Sequence, residues 1–321
     1  IYTLSLHDAL PISVDAGNAR IEGLYFAPVE GPPNRLVLGS RVRVGLTAQG
    51  YPFPAPTGIV DYDLNAAEQG EIMTLSLERA QYGSLVGNLD TRFALGDDAT
   101  VYAGGAIRRQ NRHEGGNFKS YILSGGFTVR PFGEATFTGF WGHTRTHNDE
   151  AAPSVFPGGN FLPPRIERRE MIGQDWAKRD NNQTITGGIF RAPSGPWLFE
   201  AGLFRAEREV DINFTDLFTA TRPDGTTPNR VMVIDADNTD LLHSGELRFA
   251  RVLGNADLAH RLTLSLRGKR GNRTFGGAQR VSLGESSLLF QDLKPQPAFS
   301  FGPDDADSVS QDRKSTRLNS S

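Results

Sequence analysis

The feature that most constrains this chain is a two-residue alternation of apolar with small or polar side chains, which begins near Glu71 and recurs in stretches of roughly ten residues. In one stretch Leu85, Leu89 and Phe93 share a face, whereas Asn88 and Asp90 lie on the other. Successive side chains of a β-strand point to opposite faces, so each stretch predicts a strand with one apolar and one polar side. About nine such strands are expected between positions 72 and 267, with a tenth near 279–291.

The connections between these strands alternate between short and long. Short connections are expected at 96–98, 131–133, 193–196 and 254–257, and long ones at 111–117, 147–181, 211–238 and after position 270. In an up-and-down antiparallel sheet, alternate connections lie at opposite ends, and outer-membrane barrels have short turns on one rim and large loops on the other. Tilted strands of about nine to eleven residues also match the thickness of a bilayer. The predicted fold is therefore all-β: a transmembrane antiparallel up-and-down β-barrel.

The composition and motifs of the sequence exclude several kinds of site and function. The sequence has no cysteine, which excludes disulfide frameworks and thiolate metal sites, and its net charge of -3 gives no basis for nucleic-acid binding. It contains no run of about 18 apolar residues that would predict a transmembrane helix. It also lacks GxSxG, P-loop and HExxH motifs, so no enzyme activity, cofactor or metal site is predicted. The alternative fold is a soluble β-sandwich, whose sheets also have one buried and one solvated face.

The two ends of the chain depart from the strand pattern. Residues 1–13 (IYTLSLHDALPIS) and 313–321 (RKSTRLNSS) resemble translated sequencing-adapter read-through, and we expect both to be foreign to the natural protein. Residues 14–70 are rich in proline and contain one short alternating segment, Arg41 to Thr47, so they are expected to form a small element separate from a barrel wall at 71–312. The natural part is expected to be an internal fragment of a longer protein.

Residues Arg41 to Leu64, RVRVGLTAQGYPFPAPTGIVDYDL, resemble the end of the plug domain of TonB-dependent outer-membrane receptors of the siderophore-receptor type. The resemblance extends over roughly residues 35–292. It implies a partial, unclosed barrel, with about 9–10 of an expected 22 strands present here, preceded at 14–70 by the C-terminal remnant of a plug domain.

The same resemblance implies a location in the bacterial outer membrane and contact with outer-membrane lipid. It further implies energy supplied by TonB, through an N-terminal box missing here, for uptake of a scarce small-molecule ligand such as a ferric siderophore. A passive porin-like barrel without energy coupling is the alternative function, and the proline-rich segment ahead of the first strand argues against it.

The long connection at 147–181 carries the candidate ligand-binding residues. They are Phe161, Arg165, Arg168, Arg169 and Trp176. Arginine offers forked donors to anionic ligands, and aromatic rings provide contact area, so we expect this loop to contribute to ligand capture. The alternative is that RIERRE, residues 165–170, is a self-paired, solvated charge run or contacts anionic lipopolysaccharide.

A second set of charged residues lies on the polar faces of the predicted strands. They are Arg92, Arg108, Arg130, Glu200, Glu246, Arg248 and Arg267. On a lipid-facing surface each would cost about 2–4 kcal/mol at mid-bilayer, so we expect them to face the lumen and to pair with one another or with the plug. Glycines inside strands, such as Gly125 and Gly126, are expected to allow close packing of the plug or a neighbouring strand.

Aromatic residues collect near the short turns. Phe93, Tyr102, Phe132, Trp197, Phe199 and Phe249 are expected to form a girdle at that rim.

Overall fold

The computed structural model describes residues 12–15, 24–27, 29–44, 59–67, 70–254 and 259–320. Sixteen strands in these ranges form two sheets, one small and one large. No helix in the described part of the chain is long and apolar enough to cross a membrane.

The small sheet, called the inner sheet below, has four strands. They are β1 (Ile12–Asp15), β2 (Leu24–Phe26), β3 (Val37–Arg43) and β4 (Ile59–Leu64). Their order is β2-β1-β4-β3, with β1 and β4 parallel and the other pairs antiparallel. The alternating segment expected from Arg41 is the end of β3, whereas positions 45–58, including most of the YPFPAP stretch, lie outside the described residues.

The large sheet, called the wall below, contains the remaining strands. They are β5 (Ile72–Arg79), β6 (Leu85–Ala94), β7 (Ala99–Asn111), β8 (Asn117–Val129), β9 (Thr136–Glu150), β10 (Ser154–Pro157), β11 (Lys178–Ser194), β12 (Trp197–Thr221), β13 (Thr226–Gly254), β14 (Ala259–Phe275), β15 (Ala278–Ser287) and β16 (Asp305–Ser320).

Ten wall strands follow one another as an antiparallel meander, in the order β5-β6-β7-β8-β9-β11-β12-β13-β14-β16. Among the described residues, β5 and β16 each have a strand on one side only, so the wall is open. The predicted unclosed, up-and-down antiparallel architecture is confirmed.

The prediction of short connections on one rim and long ones on the other is confirmed in part: the connections at 151–177 and 276–304 are long, whereas those at 80–84, 112–116 and 222–225 are no longer than the turn at 130–135. The short-turn rim carries the connections at 95–98, 130–135 and 195–196, and the long-loop rim carries those at 80–84, 112–116, 151–177, 222–225 and 276–304. Gly96, Gly133 and Gly195 in the short turns have positive φ, a backbone conformation that glycine adopts without a steric penalty. The turn expected at 254–257 falls mostly outside the described residues.

The prediction of a long loop at 211–238 is wrong. β12 and β13 extend through these positions and form a hairpin that is closed by residues 222–225. Phe214 on β12 and Met232 and Ile234 on β13 bury their side chains, so the alternation persists between the acidic residues that suggested a loop. At the tip, the Asp224 carboxylate accepts hydrogen bonds from the backbone N–H (2.9 Å) and the hydroxyl (2.7 Å) of Thr226. These bonds lower the pKa of Asp224.

The tenth wall strand is not the one expected near 279–291. That segment forms β15, which pairs with the part of β13 that extends beyond the end of β14. The wall instead continues with β16, which pairs with β14 from Phe275 opposite Asp305 to His260 opposite Ser320. Since β16 includes residues 313–320, the segment expected to be foreign lies in a strand, and its foreign origin stays a prediction.

The two faces of the wall have different surroundings. On the outer face large apolar side chains are exposed, for example Leu77 (82%), Ile107 (65%) and Leu203 (72%). On the inner face the wall packs against the inner sheet. The shared core contains Leu24, Phe26, Leu36 and Leu64 of the inner-sheet region and Phe140, Ile185, Ile189, Phe204 and Ala206 of the wall. Among the described residues, no second layer packs against the outward apolar face. The structure therefore does not form the β-sandwich that was the alternative fold.

Aromatic side chains gather at the short-turn rim. Phe93, Phe132, Trp197 and Phe249 are exposed there, and the ring of Phe199 lies 4.8 Å from that of Phe249. Tyr102 differs from the prediction, because Val101 is exposed on the outer face and Tyr102 therefore points inward, with 2% of its surface exposed.

Candidate functional site

A row of charged residues crosses the inner face of four adjacent wall strands. Arg191 on β11 lies opposite Glu200 on β12, Glu200 lies opposite Arg248 on β13, and Arg248 lies opposite Ser265 on β14. The Arg191 Nε donates to Glu200 Oε1 at 3.0 Å, and the Arg248 Nη1 donates to Glu200 Oε2 at 3.2 Å. Because all three side chains are buried, each charge depends on these partners for compensation.

Glu246 connects this charged row to the inner sheet. The Arg248 Nε and Nη2 donate to its two carboxylate oxygens at 3.1 and 3.0 Å, and the Ser265 hydroxyl donates to Oε1. Its Oε2 also accepts the backbone N–H of Tyr25 at 2.9 Å. The guanidinium of Arg267 lies 5.3 Å from the centre of the Tyr25 ring. The structure thus brings together Glu200, Glu246, Arg248 and Arg267 beneath the inner sheet.

The other three predicted lumen charges lie elsewhere. Arg92 is buried, and its Nε donates to the carbonyl of Gly70 at 2.9 Å, close to the start of the wall. Arg108 is partly buried, at a distance from the charged row. The prediction that Arg130 faces the lumen is wrong. β8 ends at Val129, and the exposed Arg130 donates to the Asp97 carbonyl in the short-turn rim at 2.9 Å.

Two ion pairs join the inner-sheet region to other wall strands. Arg35 contacts Asp90 on β6 at 2.6 Å, and the Tyr102 hydroxyl donates to the other oxygen of Asp90 at 2.8 Å. Glu30 contacts Arg208 on β12 at 2.8 Å. The inner-sheet region is therefore held by polar contacts on both sides of the apolar core that it shares with the wall.

Glycines in the wall allow the inner-sheet region to come close. A Cβ on Gly126 would lie 2.7 Å from the Cβ of Ala66, and one on Gly202 would lie 2.8 Å from Leu24 Cδ1. Both distances are shorter than a carbon–carbon contact permits. At Gly126 the backbone would have to shift, because the Gly139 carbonyl oxygen is also 2.8 Å away, whereas at Gly202 the end of the Leu24 side chain would have to move. Close approach of this region is the role that the sequence suggested for Gly126.

At the long-loop rim, residues 171–177 and 288–301 are tied to each other, and we call them the cap segments. The indole Nε1 of Trp176 donates to the Lys294 carbonyl at 2.9 Å. The Gln174 amide donates to the Asp292 carbonyl at 2.7 Å, and its oxygen accepts the Lys294 N–H at 2.7 Å. Burial would raise the pKa of Asp292, but hydrogen bonds from Lys294 and Ser286 outweigh it, so the net pKa is lowered.

Arg230 on β13 fixes both cap segments to the wall. Its side chain is fully buried, with its Nε 2.9 Å from Asp216 Oδ1 and its guanidinium 4.5 Å from the centre of the Phe218 ring. Its remaining nitrogens donate to the carbonyls of Ile172 (2.8 Å) and Asp292 (3.1 Å), one in each cap segment. Arg230 is not predicted from the sequence, because it lies in the segment expected to be a long loop at 211–238. Its two-residue spacing from Met232 and Ile234 was the available signal.

The five candidate ligand-binding residues fall into two groups. Trp176 belongs to the cap, where its ring lies 5.7 Å from that of Phe214 and 6.2 Å from that of Phe299. Phe161 is partly buried, whereas Arg165, Arg168 and Arg169 are exposed on the long loop, where Arg169 donates its backbone N–H to the His113 carbonyl at 2.8 Å. Among the described residues these three arginines form no ion pair. The self-paired charge run considered for RIERRE is therefore absent from this part of the structure.

The fold of this chain, an open antiparallel wall that packs its inner face against a small mixed sheet, is similar to that of solved outer-membrane siderophore receptors. Among solved structures, the ferric-catecholate import receptor Fiu from E. coli K12, in its open form, matches with a TM-score of 0.71 and 12% identity, covering 94% of this chain and 49% of that one. The pyoverdine outer membrane receptor FpvA from Pseudomonas aeruginosa PAO1 matches with a TM-score of 0.73 and 9% identity, covering 97% and 47%. BauA from Acinetobacter baumannii, the ferric preacinetobactin receptor, matches with a TM-score of 0.68 and 12% identity, covering 97% and 52%.

These similarities show the fold, because the sequence identities are low. The chain spans about half the length of the solved chains it matches. No protein family and no curated protein matches its sequence.

Proposed function

We propose that this chain is part of a TonB-dependent transporter of the bacterial outer membrane that takes up a ferric siderophore. In this proposal residues 14–70 are the C-terminal part of the plug and residues 71–312 are the first part of the barrel. The observation that carries it is the packing of the inner sheet on the lumen face of the wall, through a shared apolar core and through the hydrogen bond from Tyr25 to buried Glu246.

The contacts between inner sheet and wall fit a plug that is displaced during transport. The core around Leu24 and Phe26 is accompanied by polar contacts such as Glu30–Arg208 and Arg35–Asp90. When the lumen opens, polar groups of this kind exchange their protein partners for water. This exchange limits the free-energy cost of displacing the plug. Moving such a plug requires an energy input, and this favours coupling to TonB over passive diffusion.

A passive porin-like barrel would need a water-filled lumen. The inner-sheet region instead occupies space along the inner face of β7, β8 and β12, where Gly126 and Gly202 admit it to close contact. The choice of ligand is supported by the matched receptors, which are named for ferric catecholate, ferric preacinetobactin and pyoverdine.

We further propose that the exposed arginines of the long loop contribute to ligand capture. In the receptor encoded by the complete gene, replacing Arg168 and Arg169 together by alanine is expected to weaken binding of an anionic ferric siderophore at least about tenfold. The reason is that a hydrogen bond to a charged partner contributes about 1.5–3 kcal/mol. Equilibrium binding and radiolabelled-iron uptake measure the effect.

The matched control replaces Arg251 and Arg270 by alanine, which removes the same charge from two exposed positions in the wall strands. Its affinity and uptake should equal those of the unaltered receptor. Unchanged affinity and uptake in the Arg168→Ala/Arg169→Ala receptor would remove this role from the loop. If the unaltered receptor itself shows no specificity for a ferric siderophore in iron uptake, the proposed function is contradicted.

A further inference from the structure

The inner-sheet region is held to two parts of the wall by different kinds of contact. Towards β9, β11 and β12 it shares the apolar core, in which Leu24 and Phe26 belong to the same cluster as Ile185, Ile189 and Phe204 of the wall. Separating these surfaces would expose apolar side chains to water, which costs free energy in proportion to the area exposed. The apolar side of the contact therefore resists separation.

Hydrogen bonds from the inner-sheet region reinforce the same side. Besides the bond to Glu246 described above, the backbone N–H of Ala27 donates to the hydroxyl oxygen of Ser244 on β13 at 3.0 Å. The side-chain amide of Gln183 on β11 donates to the Gly31 carbonyl at 3.0 Å. Since Ser244, Gln183 and Glu246 are buried, these wall groups depend on the inner-sheet region for their partners.

Towards β6, β7 and β8 the contacts are mainly polar. Arg35 pairs with Asp90 on β6, and both side chains remain partly exposed. The Thr128 hydroxyl on β8 donates to the Ala66 carbonyl at 2.7 Å, and the close approach of Ala66 to Gly126 involves a single methyl group. Partly exposed ion pairs contribute little to stability, because water can replace each partner. This side therefore separates at a lower cost than the apolar side.

A buried serine of the wall lies beneath the polar contact. Ser124 on β8 has Gly104 and Gly142 as its direct neighbours on the adjacent strands. A Cβ on Gly142 would lie 3.1 Å from Pro33 Cγ, so this row of the inner face lies against the segment that carries Arg35. Ser124 is almost completely buried, yet among the described residues its hydroxyl has no hydrogen-bond partner. Buried hydroxyl groups in proteins are normally satisfied by protein or by ordered water.

Three more polar atoms near this contact are buried without a protein partner in the described ranges. They are Asn88 Oδ1 on β6, Arg108 Nε on β7 and Arg35 Nε. Asn88 lies two residues from Asp90, so both side chains are on the inner face. Buried waters typically occupy positions where several otherwise unsatisfied polar atoms converge. The contact with β6 to β8 therefore suits a layer of water between the two surfaces.

We infer that the inner-sheet region separates first from β6, β7 and β8 while it stays attached to β9, β11, β12 and β13. Water enters on the polar side, and the inner face that carries Asn88, Arg108 and Ser124 then lines the opening. Such a lining suits a hydrophilic, anionic metal chelate, because it offers a cation and neutral hydrogen-bonding groups. This inference rests on the proposed function, in which the inner-sheet region is displaced during transport.

The test places single cysteines on the two sides of the contact in the chain, which contains no cysteine of its own. Ser124→Cys reports on the polar side, and Ser244→Cys is the matched control on the apolar side, because the two serines are 5% and 4% exposed. In detergent micelles with a low concentration of urea, a charged, water-soluble thiol reagent should modify Ser124→Cys at least about tenfold faster than Ser244→Cys. Each rate is divided by that of the fully unfolded variant, so the ratio reports the populations of the locally open forms.

A second measurement identifies the contact that closes the polar side. Adding Arg35→Ala should raise the modification rate of Ser124→Cys several-fold and should leave that of Ser244→Cys unchanged, since only the polar side loses an ion pair. If a serine variant does not fold, Ala106→Cys on β7 and Ala206→Cys on β12 form the equivalent pair, since both alanines are buried on the inner face.

Equal modification rates on the two sides, or faster modification on the apolar side, would overturn the inference. Iron uptake by the complete receptor is measured independently of this ratio. If uptake is found but the ratio is reversed, the proposed function stands and the opening lies on the other side of the inner sheet.

Discussion

Replacing Arg248 by alanine is expected to destabilise the assembly of wall and inner sheet by about 3–5 kcal/mol, since the substitution leaves the buried carboxylate of Glu246 without its cation and that of Glu200 with Arg191 alone. Arg248 donates to both Glu200 and Glu246, and these two side chains are almost completely buried. Glu246 in turn accepts the Tyr25 backbone N–H, so the loss should reach the inner sheet. Denaturant unfolding of the chain in detergent micelles measures the change in free energy.

Arg251 on the same strand provides the matched control. It is exposed and contacts the ring of Trp197 at 4.8 Å, so Arg251→Ala should cost at most about 1 kcal/mol. A double variant with Arg248→Met and Glu246→Gln removes this buried pair together, leaves Glu200 paired with Arg191, and should recover much of the loss. If Arg248→Ala costs no more than Arg251→Ala, the charged row does not hold the two sheets together.

Replacing Arg230 by alanine is expected to release the cap segments from the wall, with a local loss of about 3–5 kcal/mol. The substitution leaves Asp216 buried without its ion-pair partner and removes the donors to the carbonyls of Ile172 and Asp292. Hydrogen exchange in detergent should show lost protection of backbone amides in the cap, including that of Lys294, while amides of β7 and β8 keep theirs.

The control for this experiment is Arg280→Ala on the neighbouring strand β15. Arg280 lies opposite Val233 and is exposed, so its removal should leave exchange in both cap segments unchanged. Unaltered protection of Lys294 in Arg230→Ala would show that the cap is held by other contacts.

The wall could be predicted from the sequence because most of its strands alternate exposed apolar side chains on the outer face with polar ones on the inner face. β11 shows why face assignment was incomplete. Its Ile185 and Ile189 have the apolar character and two-residue-multiple spacing of an outer face, but both are buried on the inner face against the inner sheet. Where the inner sheet covers the inner face, that face is apolar as well, and alternation no longer distinguishes the two sides. Arg191, two residues beyond Ile189, was missed for the same reason.

The candidate site was predictable as a set of inward charges but not as a network. Polar character on one strand face was enough to select Glu200, Glu246 and Arg248. Their pairing depends on register across strands that are distant in sequence, as when Glu246 meets Tyr25. The hairpin extension that carries Arg230 was missed because its acidic residues resemble a solvated loop in sequence, whereas its buried face is visible only after pairing.

The central claim, that the apolar outer face of the wall contacts lipid tails, is tested most directly by tryptophan fluorescence in brominated detergent. Three single-tryptophan chains are needed, each with the other two tryptophans replaced by phenylalanine. Trp141 and Trp197 are exposed on the outer face, whereas Trp176 lies in the cap and donates to the Lys294 carbonyl. Strong quenching of Trp141 and Trp197 with little quenching of Trp176 is predicted, and absence of quenching at both outer positions would contradict the account.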